Sequence, residues 1–135
     1  MICLDTNAVI SLLNDPASPV TARVARRVAR EETVAVSSVV TFELWYGVAR
    51  SSRQNWNTSR LADFLAGPVD VLAFDVDDAA EAGHIRADLE SRGTPIGPYD
   101  LLIAAQARRR DALLVTANLR EFNRVEGLRV ENWLE

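Results

Sequence analysis

Residues 1–16 read MICLDTNAVISLLNDP. The apolar run Met1 to Leu4 is halted by Asp5-Thr6-Asn7, and Ala8 to Leu13 then continues as a helix until Asn14-Asp15-Pro16 stops it. Strand, polar turn and helix follow one another within a few residues, and this order recurs downstream. Ser18 before Pro19 reads as an N-cap with proline at the first helical position, and Val20, Val24 and Val28 form a stripe to about Glu31 with the arginines outward. Thr33 to Ser37 is a β-branched strand. Val39 to Val48, with Phe42, Leu44, Trp45 and Tyr46, predicts a largely buried helix.

Ala49 to Arg60 carries Arg50, Arg53 and Arg60, no acid, and the breakers Ser51, Ser52, Asn55 and Asn57, which predicts a loop or irregular helical connection. A helix resumes from Leu61 to Ala66 and ends at Gly67-Pro68. Val69 to Phe74 is a third strand, and Asp75 caps an alanine-rich helix, Val76 to Arg92, that Gly93 closes. Pro95-Ile96-Gly97-Pro98 is a rigid entry to a helix from Tyr99 to Arg110. Ala112 to Thr116 is a fourth strand and Leu128 to Trp133 a candidate fifth. Strands alternating with helices predict an α/β fold whose sheet is mostly parallel and covered on both faces.

The 135 residues suit a single domain spanning 1–135, and 48% hydrophobic with 25% charged residues is ordinary globular composition. Cys3 and His84 are the only cysteine and histidine, which excludes an internal disulfide and the usual structural zinc site. The absence of a membrane-length apolar run or a signal-peptide pattern before Asp5 predicts a cytosolic protein. All 15 basic residues are arginine, so chemistry that needs a lysine, as a Schiff base or a P-loop clamp, is excluded. The net charge of −4 argues against a surface built as a general polyanion trap and leaves local basic patches open.

In an open parallel sheet the ligand site lies beyond the carboxyl ends of the strands. Asp5 and Asn118 follow two such ends, Asp100 falls in the first turn of a helix entering from that edge, and Glu43 lies one turn inside the helix after the second strand. Carboxylates gathered without cations raise one another's pKa, so the cluster calls for metal ions or shared protons. Oxygen ligands without His or Cys favour Mg²⁺ or Mn²⁺. Each residue also has a plain structural role open to it: Asp5 as a helix cap, Asp100 as a complement to a helix dipole, and Asn118 and Glu121 as capping or surface residues.

Taken together, Leu4-Asp5-Thr6-Asn7, Ser38 to Glu43, Gly97-Pro98-Tyr99-Asp100 with Leu101 to Ala105, and Thr116-Ala117-Asn118 followed by Glu121-Phe122 resemble the four blocks of PIN-domain proteins, and more closely the VapC-type toxin ribonucleases. The resemblance spans the chain. It implies a three-layer α/β/α sandwich with a four- or five-stranded sheet, Mg²⁺ or Mn²⁺ bound by acidic residues, and endonucleolytic cleavage of RNA to a 5′-phosphate and a 3′-hydroxyl. Asp5, Glu43 and Asp100 match the characteristic acidic positions, Asn118 stands where many relatives have aspartate, and Glu121 is a nearby replacement for the missing charge. Thr6, Asn7 and Ser38 match small polar residues that orient the acidic ones. An amide at 118 implies one metal held well and a second held weakly. A homodimer and a small antitoxin as cognate partner are further implications.

Carboxylate-held metals can activate water and stabilise a phosphodiester's charge without histidine or lysine, which leaves His84 a surface or packing residue. Contacts to RNA would come from arginine. The run Arg108 to Arg110 lies roughly 15 Å of helix away from Asp100 and better suits a helix C-terminus, whose dipole it complements, and the Arg50 to Arg60 segment adds Trp56. Phe42, Trp45 and Tyr46 can serve the core, a groove or a dimer face. Receiver and haloacid-dehalogenase sites also place Asp after the first strand but need a lysine, so both are rejected. A catalytically silent PIN-like RNA-binding module and a metal-dependent DNase or structure-specific nuclease are the readings that share these residues.

Overall fold

Short apolar runs bounded by polar turns form the strands expected of them. The structure, a computed structural model, describes residues 1–134; Glu135, the last of the expected domain, lies outside the described residues. Strands β1 (Ile2–Leu4), β2 (Val34–Ser37), β3 (Asp70–Leu72), β4 (Leu113–Val115) and β5 (Arg129–Glu131) form one sheet in the order β3-β2-β1-β4-β5, every pair parallel. The connections are α1 (Thr6–Asn14), α2 (Pro19–Ala29), α3 (Ser38–Arg50), α4 (Gln54–Leu65), α5 (Val76–Ser91), α6 (Pro98–Arg109) and the single turn α7 (Leu119–Phe122). Right-handed crossovers put α1 to α4 over one face and α5 to α7 over the other, giving three layers.

The strand order reverses between β1 and β4, which makes that junction the switch point of the sheet. Leu4 pairs with Val36 on one side and Val115 on the other, so Asp5, Ser37 and Thr116 emerge level with one another at the same edge. Central strands β1, β2 and β4 are buried throughout, as unbroken apolar runs should be, while edge strands β3 and β5 are partly exposed. Each buried Leu, Ile or Val side chain contributes about 1.5–3 kcal/mol.

Local signals act where they were read. Ser18 Oγ accepts from the Val20 N–H with Pro19 at the first position of α2, and Asp75 with Asp78 closes a reciprocal cap on α5. Gly93, at φ +69°, ends α5: its N–H donates to the Glu90 carbonyl and that of Thr94 to Leu89, the geometry for which a residue without Cβ is suited.

Three expectations are corrected. The helix expected to be largely buried, α3, buries only Val40 and Leu44, and Phe42, Trp45 and Tyr46 are 51%, 39% and 56% exposed. Phe42, Trp45 and Tyr46 stand at i, i+3 and i+4 and so share one face of the helix, opposite the face through which Val40 and Leu44 pack inward. The stretch expected as a loop or irregular helical connection up to Arg60 is a regular helix from Gln54 that runs on to Leu65. Arg53 and Arg60 lie three and four residues from Trp56 with their guanidinium carbons 4.2 and 4.4 Å from its ring centroid, and Leu61 is buried beneath; these contacts outweigh the low propensity of Asn and Ser. The α2 arginines are not all outward either, since Arg27 lies 5.2 Å over the ring of buried Trp133 and pairs with Glu32.

Helices α5 and α6 are locked by Asp78, which is wholly buried and accepts from Arg109 Nε at 2.7 Å, Arg110 Nη1 at 2.9 Å and Gln106 Nε2 at 3.2 Å. Although burial opposes its ionisation, the two guanidinium groups and the Asp75 N–H hold its carboxyl well below the usual carboxylate range. A depressed folded pKa contributes stability that is present above the ordinary carboxylate range and is lost as pH falls toward the folded value. Asp78→Ala, which strands two arginines, is expected to destabilise by about 3 kcal/mol in urea unfolding at neutral pH and to flatten the acid-side loss of stability seen in the wild type.

Candidate active site

Asp5 leaves β1 and turns into α1 in one residue. Its backbone N–H donates to the Val115 carbonyl, 3.1 Å, and its Oδ1 accepts from the Ala8 N–H, 2.9 Å, so both its main chain and its carboxyl are fixed. It is 6% exposed, and burial pushes its pKa up; hydrogen bonds from Thr116 and the Ala8 N–H work against this, and the charge of Glu43 adds to it. Thr6, the next residue, donates from Oγ1 to Glu43 Oε1 at 2.7 Å and so ties the start of α1 to α3.

Asp100 sits in the first turn of α6, set by Gly97 and Pro98, and is half-buried. Burial, then the charges of Glu121, Glu43 and Asp5, then a hydrogen bond with Glu121 push its pKa up to about 6. Asn118 donates from Nδ2 to Glu121 Oε2 at 3.0 Å, and its N–H donates to Thr116 Oγ1 at 2.9 Å. Asp5, Glu43, Asp100 and Glu121 therefore influence one another electrostatically at the switch point. No arginine forms an ion pair with any of them among the described residues.

The small polar residues divide. Thr6 holds a carboxylate, whereas Ser38 does not reach this group: its Oγ accepts from the Phe74 N–H at 3.1 Å and ties α3 to the segment after β3. Ser38 starts a helix, and its side chain points across the sheet edge toward the neighbouring chain segment rather than toward β1. Asn7 is exposed on α1. Thr116 is fully buried between Asp5 and Asn118 and was not singled out from the sequence; its place directly after an apolar strand, level with Asp5, was the available signal. Arg108 to Arg110 are turned to structure, paired with Glu81, Asp75 and Asp78 at 2.7–2.9 Å. His84 is exposed on α5.

The donor set is carboxylate and amide oxygen. Among the described residues no three His, Cys, Asp or Glu side chains gather closely enough to hold a metal ion by themselves. Oxygen donors without His or Cys are those that a hard ion such as Mg²⁺ or Mn²⁺ takes, and they do not suit a tetrahedral zinc site.

The PIN domain model matches residues 2–128. The chain belongs to the PIN domain family. It is 40% identical over 132 residues, 96% of each chain, to the tRNA(fMet)-specific endonuclease VapC of Shigella flexneri, and 41% identical over 105 residues, 78% of each chain, to ribonuclease VapC2 of Rickettsia felis. The crystal structure of VapBC2 from Rickettsia felis bound to a promoter DNA fragment superposes with a TM-score of 0.91 at 36% identity, covering 98% of this chain and 99% of that one. DNA-bound VapBC from Salmonella typhimurium gives 0.90 at 36% identity over 98% and 97%. The α/β/α sandwich that the four sequence blocks implied is the PIN fold.

The PIN site has a measurable cost. Asp100 holds a proton in the folded chain up to about pH 6 that the unfolded chain gives up near its ordinary value of 3.8, so stability falls as pH rises through that window. In chelator, Asp100→Asn is expected to stabilise by on the order of 1 kcal/mol at pH 7.5, solvent screening having reduced the full effect, and to leave stability unchanged near pH 4. Thermal unfolding across that range checks it.

Proposed function

We propose that this PIN domain is a metal-dependent endoribonuclease and the toxin of a type II toxin–antitoxin pair. The observation that carries this reading is the placement of Asp5, Glu43 and Asp100 at the switch point of a chain 40% identical to a VapC endonuclease. Asp5, Asp100 and Glu43 would hold Mg²⁺ or Mn²⁺, with Glu121 and Asn118 as weaker oxygen donors. When bound, the ion supplies activation of water and neutralisation of charge on the phosphate oxygens.

The chain's own groups prepare that site. The Ala8 N–H and Thr116 keep the Asp5 carboxyl in one orientation, and Thr6 does the same for Glu43. A hydrogen bond with Glu121 is among the causes that raise the Asp100 pKa to about 6, so above that pH the Asp100 carboxylate is free to meet a cation that the cluster would hold. Hydrolysis adds water at phosphorus and breaks the bond to the 3′ oxygen, giving a 5′-phosphate and a 3′-hydroxyl.

The partner follows from the structural neighbours, which are VapBC complexes. An apolar groove lined by Leu12, Val24, Val28, Phe64 and Val69 suits a hydrophobic segment of an antitoxin, whose basic side chain would enter the acidic pocket. The exposed α3 aromatics, with Tyr99 5.5 Å edge-on to Phe42, suit a second copy in a homodimer. Among the described residues no helix is long and apolar enough to cross a membrane, and a cytoplasmic location places the enzyme with its RNA.

The purified protein should cut RNA, and not DNA of the same sequence, only with Mg²⁺ or Mn²⁺ present. Asp5→Asn should abolish cleavage and Thr6→Val should reduce it about 10-fold, as expected when the group orienting a ligand is lost. Cleavage surviving in Asp5→Asn overturns the reading. The amide at 118 yields a separate outcome: Asn118→Asp replaces a hydrogen bond to Glu121 by a repulsion, so it should lower the melting temperature in chelator and tighten Mn²⁺ binding in calorimetric titration.

A further inference from the structure

Most arginines near acidic residues in this chain are neutralised by them, as Arg108, Arg109 and Arg110 are. Arg60 is held differently. Its Nη1 and Nη2 both donate to Asn14 Oδ1 at 3.3 Å, and its guanidinium carbon lies 4.4 Å from the Trp56 ring centroid. Both anchors are neutral, and among the described residues no carboxylate lies within ion-pair distance of it. The result is a half-buried, orientationally fixed cation with its charge uncompensated.

That cation lines an open groove of about 270 Å³ between α1, α3 and α4, whose wall also includes Glu43, Leu44, Gly47, Asn57 and Leu61. A Cβ built on Gly47 meets nothing within 4 Å, so the groove is open above that residue. One groove thus joins a carboxylate of the candidate active site to an uncompensated guanidinium. A planar guanidinium fixed in place is the side chain best suited to take two oxygens of a phosphate. A strand of RNA with one phosphodiester at the carboxylates necessarily presents further phosphates to either side.

Resting on the nuclease reading above, we propose that this groove is the subsite for the nucleotide next to the scissile bond and that Arg60 binds its phosphate. Trp56 is a positioning residue. With Arg53 and Arg60 at 4.2 and 4.4 Å its indole is already engaged by two cations, so it fixes Arg60 rather than stacking a base.

The test measures steady-state cleavage of a short single-stranded RNA and, separately, equilibrium binding of the same RNA as a function of salt. Arg60→Gln should raise KM roughly 10-fold with kcat little changed, as for the loss of one charge-assisted contact. The slope of log affinity against log salt should fall by about 0.7, the share of one single-strand phosphate, and Arg60→Lys should restore it. Trp56→Leu should raise KM and Trp56→Phe should recover it. Unchanged KM and salt slope in Arg60→Gln overturn the proposal. So does a variant that binds RNA normally and loses only its association with the antitoxin, since the groove would then be a protein dock. The binding arm needs no cleavage: a wild type that binds with the Arg60 contribution yet does not cut RNA supports the subsite and overturns the nuclease reading.

Discussion

Like charges crowded into a half-buried space repel one another, and the carboxylates of Asp5, Glu43, Asp100 and Glu121 stay together only because four separate elements fix the backbones beneath them. Asp5 is bound at its N–H by Val115 and at its carbonyl by the Val9 N–H, so it cannot retreat without breaking both the sheet and α1. Asp100 is set by a helix start built from Gly97 and Pro98, and Glu121 by a one-turn helix whose Phe122 is fully buried. Glu43 is inside a helix that is capped at Ser37 and packed through Val40 and Leu44. The parallel register of β1 with β2 and β4 brings these anchors level, and the fully buried central strands contribute the apolar stabilisation that offsets the repulsion.

The distribution of arginine serves the same constraint. A guanidinium among these carboxylates would relieve the repulsion and occupy the oxygens that would otherwise be open to a cation. The chain places its strongest ion pairs elsewhere, between α5 and α6 around the buried Asp78. The pairs Arg86 with Glu90 and Arg92 with Asp88 lie exposed along α5, where such contacts contribute little. With no cation beside them, burial first and the neighbouring carboxylates second raise the pKa values of Asp5 and Asp100, where an ion-pair network would lower them.

What could be read from the sequence was whatever depends on neighbours along the chain. Asp5 directly after an apolar run, Asp100 two residues after Pro98, Ser18 before Pro19 and Gly93 after a long helix are local patterns, and each sits in the structure in the element expected for it. What could not be read depends on contacts distant in sequence. The partners of Arg108 to Arg110 lie about thirty residues away near and on α5, so the structural role that their place at a helix C-terminus suggested acquired its particular carboxylates only in the fold. Ser38 is turned by a bond to Phe74, and α4 forms because Trp56 finds two arginines and Leu61 finds the core, neither of which a run of Ser and Asn suggests.

The amide at position 118 shows how the two kinds of information combine. From the sequence, Asn118 is a missing carboxylate and Glu121 a substitute for it. The structure makes them one unit, with the Asn118 Nδ2 donating to Glu121 Oε2 while Glu121 shares a hydrogen bond with Asp100. An amide is the residue of this size that can offer a donor to one carboxylate and still present a carbonyl oxygen. Aspartate there would add charge to a cluster that already holds its proton up to about pH 6 at Asp100. The neutral residue therefore does not leave a gap in an acidic set; it orients Glu121 and limits the repulsion that the fold must otherwise withstand.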